Sequence, residues 1–341
     1  MGNQYCAIST KLQGMYAGYL TDEDYMQLLE KKSVGEICVF LKSTVYAPFL
    51  EDVNEYDIHR SSLEQHLDRK YEDEYSRLYT FANLEQKKLL QFFFMEEETV
   101  FLKKILRDYY NQESLLKSRN NPENGILRHS KIDFSAIRQD GDLSSLVNAC
   151  RETPYYKSLQ YAASGNVDYA GICMLLDQVF FKMLWRYQKK YLPEEEKGLF
   201  AEYIGSLIDS LNLSWIYRCK KYFSLQHELI YTYLIPVFYR LRKEDIARMV
   251  EAKSLEECIQ EMKKTRYCAL FADAQFFIEH NFKRQRYALA KKMFRLHPRT
   301  MTEIYAMLEL KQIELQNLDT IIEGVRYHIS PEIIREQICI G

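Results

Sequence analysis

The chain has 341 residues, with 46 Lys or Arg against 48 Asp or Glu, a net charge of −2. Only 12 Gly and 7 Pro occur, about half the combined share of roughly 12% in average proteins. Hairpin turns and phosphate-cradling loops need those residues, so a large β-sandwich, a barrel and a glycine-loop α/β enzyme are excluded, and the balanced charge gives no global pull toward nucleic acid.

With 47% hydrophobic residues the chain is long enough to bury a sizeable core and is not disordered. The expected class is all-α. The 27 Tyr suit helix seams and partner surfaces, being apolar along the ring and polar at the tip. The eight Cys include no CxxC pair and no zinc-ribbon spacing, and no secretory signal opens the chain. A reducing, cytoplasmic setting is therefore expected. The run Leu229–Tyr239, broken by Pro236, is too short to cross a bilayer.

Taken from the N-terminus, the first informative segment is 20–46, LTDEDYMQLLEKKSVGEICVFLKSTVY. It recurs at 241–267 as LRKEDIARMVEAKSLEECIQEMKKTRY, at a constant offset of 221 with no gap. Ten of 27 positions are identical, including Leu20/Leu241, Ser33/Ser254, Glu36/Glu257, Thr44/Thr265 and Tyr46/Tyr267. Ser33 with Glu36, and Ser254 with Glu257, have capping-box spacing. In such a box the Ser oxygen takes an early helix N–H while the Glu reaches back to the cap's own N–H. Each predicts a helix running to a Thr-x-Tyr end. An eroded third copy runs from Asp142 through Leu146 to Thr153-Pro154-Tyr155 and lacks the Glu.

His59 and His66 lie seven apart, but no further ligand accompanies them, so a structural or surface role is expected rather than a metal site. Glu72-Asp73-Glu74 and Glu194-Glu195-Glu196 sit in polar runs and are expected to be solvated surface, not acid–base pairs.

A second element recurs three times. It places an acid, a Leu four residues on and an Ile seven on, which is one helical face. The copies are Glu98-Leu102-Ile105 followed by Arg107, Asp209-Leu213-Ile216 followed by Arg218, and Glu314-Leu318-Ile321. Separations from the Thr-x-Tyr tyrosine are similar: Tyr46 to Leu102 is 56, Tyr155 to Leu213 is 58, and Tyr267 to Leu318 is 51. The chain is thus expected to hold three homologous helical-bundle units, 1–117, 118–225 and 226–341. Asn120–Gly125 is a candidate linker near the first boundary; the second, near Ser224, has none. Units of this length suit three bundles about a pseudo-threefold axis better than a short-period solenoid.

The repeated acids lie in line with an apolar face, where a carboxylate needs a partner. Each is expected to find one within its own unit, from Arg107, Arg218 or the tyrosines Tyr46, Tyr155 and Tyr267. No second catalytic group accompanies them, so their role reads as structural. No nucleotide-loop, zinc-protease or serine-hydrolase motif occurs, and no cofactor, catalytic residue or metal site is expected. Residues 281–300 hold Lys283, Arg284, Arg286, Lys291, Lys292, Arg295 and Arg299 without one acid. Arg284, Lys291 and Arg295 share a helix face there. The stretch is either a solvated face or a docking point for an acidic partner or anionic headgroups.

Two repeat segments carry a resemblance. SLNLSWIYRCKKYFSL and the tail ELQNLDTIIEGVRYHISPEIIREQI are similar to the d/C subunits of V-type (A/V-type) ATPases. The tail pattern here is Glu314, Asn317, Leu318, Ile321, Ile322, Gly324, Arg326 and Tyr327. The N-terminal NQYCAISTKLQGM followed by LTDEDY is similar too, so the resemblance spans nearly the whole chain. Residues 5–19 have Gly14 and Gly18 where the family is often richer in Arg, and Phe101 stands at the Asn position of the first copy. The resemblance implies three helical domains in a pseudo-threefold funnel. It implies a non-catalytic central-rotor part, one copy per complex, on the cytoplasmic face of the membrane proteolipid ring and holding the central stalk. It would couple ATP-driven rotation to H⁺ or Na⁺ transport. The alternative is a free-standing helical scaffold or an RNA-binding module, although no RNA-binding motif supports the latter.

Overall fold

The computed structural model describes residues 5–111, 127, 130–137, 143–165, 167–223, 225–271 and 278–340. Among them the regular structure is helical and no strand occurs, as the shortage of turn residues requires. The linker at Asn120–Gly125, the cap residue Asp142 and the boundary at Ser224 lie outside the described residues. In chain order the α-helices are α1 (Cys6–Tyr16), α2 (Asp22–Leu29), α3 (Val34–Leu41), α4 (Ala47–Leu50), α5 (Arg60–Phe81), α6 (Leu84–Tyr110), α7 (Leu143–Ala149) and α8 (Tyr156–Ala163). They continue with α9 (Tyr169–Tyr191), α10 (Glu194–Arg218), α11 (His227–Tyr233), α12 (Lys243–Glu251), α13 (Leu255–Lys263), α14 (Ile278–Leu296), α15 (Met301–Arg326) and α16 (Pro331–Gln337). None of the described helices is long and apolar enough to cross a membrane.

The long helices come in consecutive pairs, α5–α6, α9–α10 and α14–α15. Each repeated acid sits well inside the second member of its pair. Short helices fill the intervals and carry the Thr-x-Tyr elements at their ends. The contacts group the chain into two compact units, residues Met1–Lys87 with Lys283–Gly341, and residues Lys88–Phe282.

In the first unit α15 is buried at every residue from Met301 to Glu314. A helix buried all round has no solvated face for its charges, so each needs a partner inside. Glu303 receives Ser9 Oγ and Gln13 Nε2 from α1, both at 2.9 Å, and the Arg299 N–H at 2.6 Å. Glu309 is met by the Arg286 guanidinium of α14. Farther along, Leu318, Ile321, Ile322 and Val325 of α15 share a core with Leu28, Ile37, Leu41, Leu63 and Ile334. Gly324 lets α16 close on this core: a Cβ there would stand 2.5 Å from the Ile334 Cδ1. Gly324→Ala is expected to cost about 1–3 kcal/mol through overpacking, read as a lower denaturant midpoint at unchanged slope.

In the second unit α10 plays the corresponding part. Phe200, Tyr203, Ile204, Ile208, Leu213 and Ile216 are all buried along it. It packs on α9, while α12 packs on α13 and α7 on α8.

The gapless repeat corresponds to two equivalent helix pairs, α2–α3 and α12–α13. Ser33 Oγ accepts the Glu36 N–H at 3.2 Å and Ser254 Oγ accepts the Glu257 N–H at 3.1 Å. The reciprocal half differs from the predicted box. Glu36 takes the Lys32 N–H at 2.9 Å and Glu257 the Lys253 N–H at 2.7 Å, one residue before the cap. The carboxylate thus holds the incoming chain rather than the cap residue, in the same way twice. A further box, Thr21 with Asp24, opens α2. Ser254→Ala is expected to lower stability by about 1 kcal/mol, measurable by urea unfolding.

The predicted surface acids divide. Asp73 pairs with Arg77 at 2.8 Å near the surface, whereas Glu74 turns inward against Lys70 and Lys311. Glu196 is buried on α10 while Glu194 beside it is exposed and pairs with Lys197. A polar run at helical spacing cannot be uniformly solvated, because successive residues point about 100° apart around the axis. His59 precedes α5 as its exposed N-cap and His66 is half-buried. Among the described residues no His/Cys/Asp/Glu group is placed to hold a metal ion.

Candidate functional site

The three repeated acids form one recurring arrangement. Asp209 is fully buried on α10. Its carboxylate accepts the N–H groups of Tyr239, Arg240 and Leu241 at 3.0, 2.6 and 3.2 Å, and the Tyr267 hydroxyl at 2.9 Å. Gly205, one turn earlier, makes the approach feasible: a Cβ there would stand 2.5 Å from the Tyr239 ring. Glu314 repeats the pattern. It accepts the Leu20 N–H at 2.8 Å and the Tyr46 hydroxyl at 2.6 Å. Leu20 and Leu241 are equivalent positions of the gapless repeat, and so are Tyr46 and Tyr267. Glu98 takes the Ser130 hydroxyl at 2.5 Å and the Lys131 N–H. The Tyr155 hydroxyl donates to the Met95 carbonyl at 2.9 Å and lies close enough to Glu98 for the carboxylate to add to the rise that burial causes.

These pairings correct the expectation that each acid is satisfied within its own repeat unit. Tyr155 meets Glu98, Tyr267 meets Asp209, and Tyr46 meets Glu314. Tyr267 bonds the acid of the preceding copy, Tyr155 lies against that of its own preceding copy, and the first tyrosine bonds the last acid, each pair inside one compact unit. Arg107 and Arg218 are not the partners. Arg107 is exposed and pairs with Asp108 at 3.7 Å, and Arg218 is exposed at the end of α10. The arginines sit more than two turns beyond their acids, on the outer side of the helix.

The local device that delivers each tyrosine is the same three times. Thr44, Thr153 and Thr265 donate to the carbonyl three residues back, each at 2.7 Å, and accept the N–H of the tyrosine two residues on. The hydroxyl closes the preceding helix and turns the chain so that the ring points into the core. Tyr46 and Tyr155 are fully buried and Tyr267 nearly so; Leu102, Leu213 and Leu318 are all at zero exposure.

The Asn position of the repeat is a second fastener, a role the pattern alone did not show. Asn212 and Asn317 each lie three residues past their acid. Asn212 accepts the Ile235 N–H at 2.9 Å and donates to its carbonyl at 3.0 Å. Asn317 does the same with Cys339, at 2.8 Å both ways. A buried amide can copy a strand-like pairing because it carries one donor and one acceptor side by side. The first copy has Phe101 there, edge-on to Phe134 instead.

The Glu314 site carries extra charge. Lys311 Nζ, one turn earlier, lies 2.7 Å from Glu314 and 3.6 Å from Glu74, with Lys70 against Glu74. Its ammonium also faces the Tyr19 and Tyr46 rings at 4.7 and 4.8 Å. Two cations and two carboxylates thus balance in a buried cluster. Burial lowers the Lys70 ammonium to about 8, with Lys311 adding in the same direction. For Lys311 burial opposes the charge, but Glu314 and Glu74 outweigh it and raise its value. Burial raises the carboxyls of Glu98 and Asp209, against the pull of their hydrogen bonds. The tyrosine hydroxyls are raised as well, by burial first and then by the adjacent carboxylate.

Chemically these groups fasten. Each acid is surrounded by hydrogen-bond donors that hold it in place. The basic stretch at 281–300 falls on α14 and the turn after it. Lys283, Arg284, Lys292 and Arg295 are exposed; Lys291 is half-buried over the Tyr287 ring at 5.4 Å. Arg286 is drawn inward by Glu309, so the stretch is not wholly solvated.

The sequence pattern of the family described as ATP synthase (C/AC39) subunit matches residues 8–337. The chain is similar to the C subunit of the A-type ATP synthase of Methanocaldococcus jannaschii, 22% identical over 351 residues, covering 97% of this chain and 85% of that one. The equivalent protein of Pyrococcus abyssi is 23% identical, covering 98% and 90%, and that of Methanosarcina acetivorans 24%, covering 99% and 93%. A match over nearly every helix that carries the clasps leaves one conclusion: the chain belongs to the ATP synthase (C/AC39) subunit family and is a non-catalytic subunit of a rotary ATPase, whose partners are the other subunits of that complex.

Proposed function

We propose that the chain is the central-rotor adaptor of its complex, linking the central stalk to the membrane proteolipid ring on the cytoplasmic face, one copy per complex. It couples ATP-driven rotation to transport of H⁺ or Na⁺. The observation that carries this reading is the family match from residue 8 to 337. The clasps support it on physical grounds. A part that transmits torque must resist shear between its helices. Buried carboxylates held by two to four donors resist sliding more specifically than apolar contact alone, because displacement leaves charges unsatisfied.

The same clasps support three homologous repeat units in a pseudo-threefold funnel. Each copy supplies one acid and one tyrosine, and the order of pairing is cyclic along the sequence.

The test is reconstitution of the complex with and without this chain. The expected result without it is ATP hydrolysis by the head with no ion transport, restored by adding the chain back. Transport at the normal ratio to hydrolysis in its absence would reject the coupling role.

A further inference from the structure

In the first unit a narrow cleft opens between α14, α15 and the segment after α16. Its rim holds Lys283, Arg286, Gln316, Thr320 and Gln337, and its floor Ile313, Asn317 and Cys339. No carboxylate lines it. The nearby acids are already matched, Glu309 by Arg286 and Glu314 by Lys311. Lys283 and Arg284 form no ion pair with a carboxylate among the described residues. The positive field converges on the floor: Lys283, Arg284 and Arg286 all pull the Cys339 thiol downward against the rise that burial causes.

The walls are held in place before any partner arrives. Asn317 fixes Cys339 through both of its amide bonds, and Thr320 is tied to the Gln316 carbonyl at 2.7 Å. A preformed cleft loses little ordering entropy on binding. Gln316 and Gln337 remain as amide donors beside the Lys283 ammonium. The floor, by contrast, is half apolar. A free inorganic anion keeps its hydration and gains nothing from Ile313, whereas a glutamate side chain brings a methylene stem as well as a charge.

We infer that this cleft receives an acidic side chain, a glutamate carboxylate with its stem, from a neighbouring subunit of the complex, with Lys283 as the principal contact. The inference rests on the reading of the chain as the rotor adaptor and names the chemistry of one of its contacts. Lys283 is exposed, so its replacement leaves the core intact.

The experiment measures binding of the full chain, as wild type, Lys283→Glu and Lys283→Arg, to separate stalk and membrane-ring preparations of its own complex at two salt concentrations. Circular dichroism checks folding of each variant. The expected result is about tenfold weaker binding of Lys283→Glu to one preparation, retained binding of Lys283→Arg, and a smaller salt dependence in the charge reversal. Wild-type binding to stalk or ring with Lys283→Glu binding equally well would overturn this inference and leave the adaptor reading standing. Failure of the wild type to bind either preparation would overturn both. Stabilisation by millimolar inorganic phosphate that is lost in Lys283→Glu, with partner binding unchanged, would make the cleft a free-anion site and overturn the assignment of a protein carboxylate.

Discussion

Glu314→Ala is expected to cost the first unit about 3–5 kcal/mol. The reason is the company the carboxylate keeps. Its removal leaves the Lys311 ammonium, 1% exposed, with the Tyr46 hydroxyl oxygen at 3.1 Å and only the more distant Glu74 to balance its charge. It also leaves the Tyr46 hydroxyl and the Leu20 N–H without their acceptor. A surface ion pair of similar geometry would be worth under about 1 kcal/mol, because water replaces the lost partner. A cycle with Lys311→Met separates the two causes. If the cost is an uncompensated buried charge, the double substitution loses less than the sum of the singles, by a coupling on the order of 1–3 kcal/mol. Urea unfolding of all four proteins checks it. A loss below about 1 kcal/mol for Glu314→Ala would remove the clasp as a stabilising element.

The second large effect is a steep loss of stability above pH about 10, the ordinary tyrosine value. Tyr25, Tyr46, Tyr75, Tyr155 and Tyr267 are all buried, and burial raises each hydroxyl above that value. In the unfolded chain they ionise near pH 10; in the folded chain they stay protonated. The folded state then binds more protons than the unfolded one, so stability falls as pH rises, by about 1.4 kcal/mol per pH unit for each such tyrosine. Lys70 works in the opposite sense. Its folded value of about 8 lies below the unfolded one, so the folded chain binds fewer protons from there upward and gains stability. One lysine is outweighed by five tyrosines once they begin to titrate. The thiols of Cys38, Cys150, Cys173, Cys219, Cys258 and Cys339 are raised too, by burial first, so their contribution to stability falls away above the ordinary thiol value of about 8.5. They outweigh Lys70, so the expected profile is a decline from about pH 8.5 that steepens beyond about 10. Denaturation midpoints across this range, with tyrosinate absorbance rising cooperatively at unfolding, check it. Tyr46→Phe should make the fall shallower. Ionisation of the whole tyrosine complement in a chain that stays folded would contradict the argument.

Much of the local structure was legible because it depends on short-range spacing. The Ser33 and Ser254 caps follow from residues three apart, and the faces of Leu102, Leu213 and Leu318 from helical periodicity. The Thr-x-Tyr turns could be seen to recur. That each buries its ring was not readable, since Tyr is as common at surfaces as in seams.

What the sequence by itself determined is the all-helical class, the recurrence of an acid, a leucine and a tyrosine in each copy, and the family that the tail from Glu314 to Tyr327 resembles. Which tyrosine meets which acid belonged to the tertiary structure alone. Tyr46 and Glu314 are 268 residues apart, while Tyr46 and Glu98 are far closer in sequence and do not meet. Repeated signatures are interchangeable as patterns, and only the packing of whole helices selects one partner among equivalent ones. The same holds for Glu74, Lys70 and Lys311. By residue type alone they are three surface charges. Together inside the fold they balance one another, because a buried charge is tolerated only where opposite charges from distant segments arrive beside it.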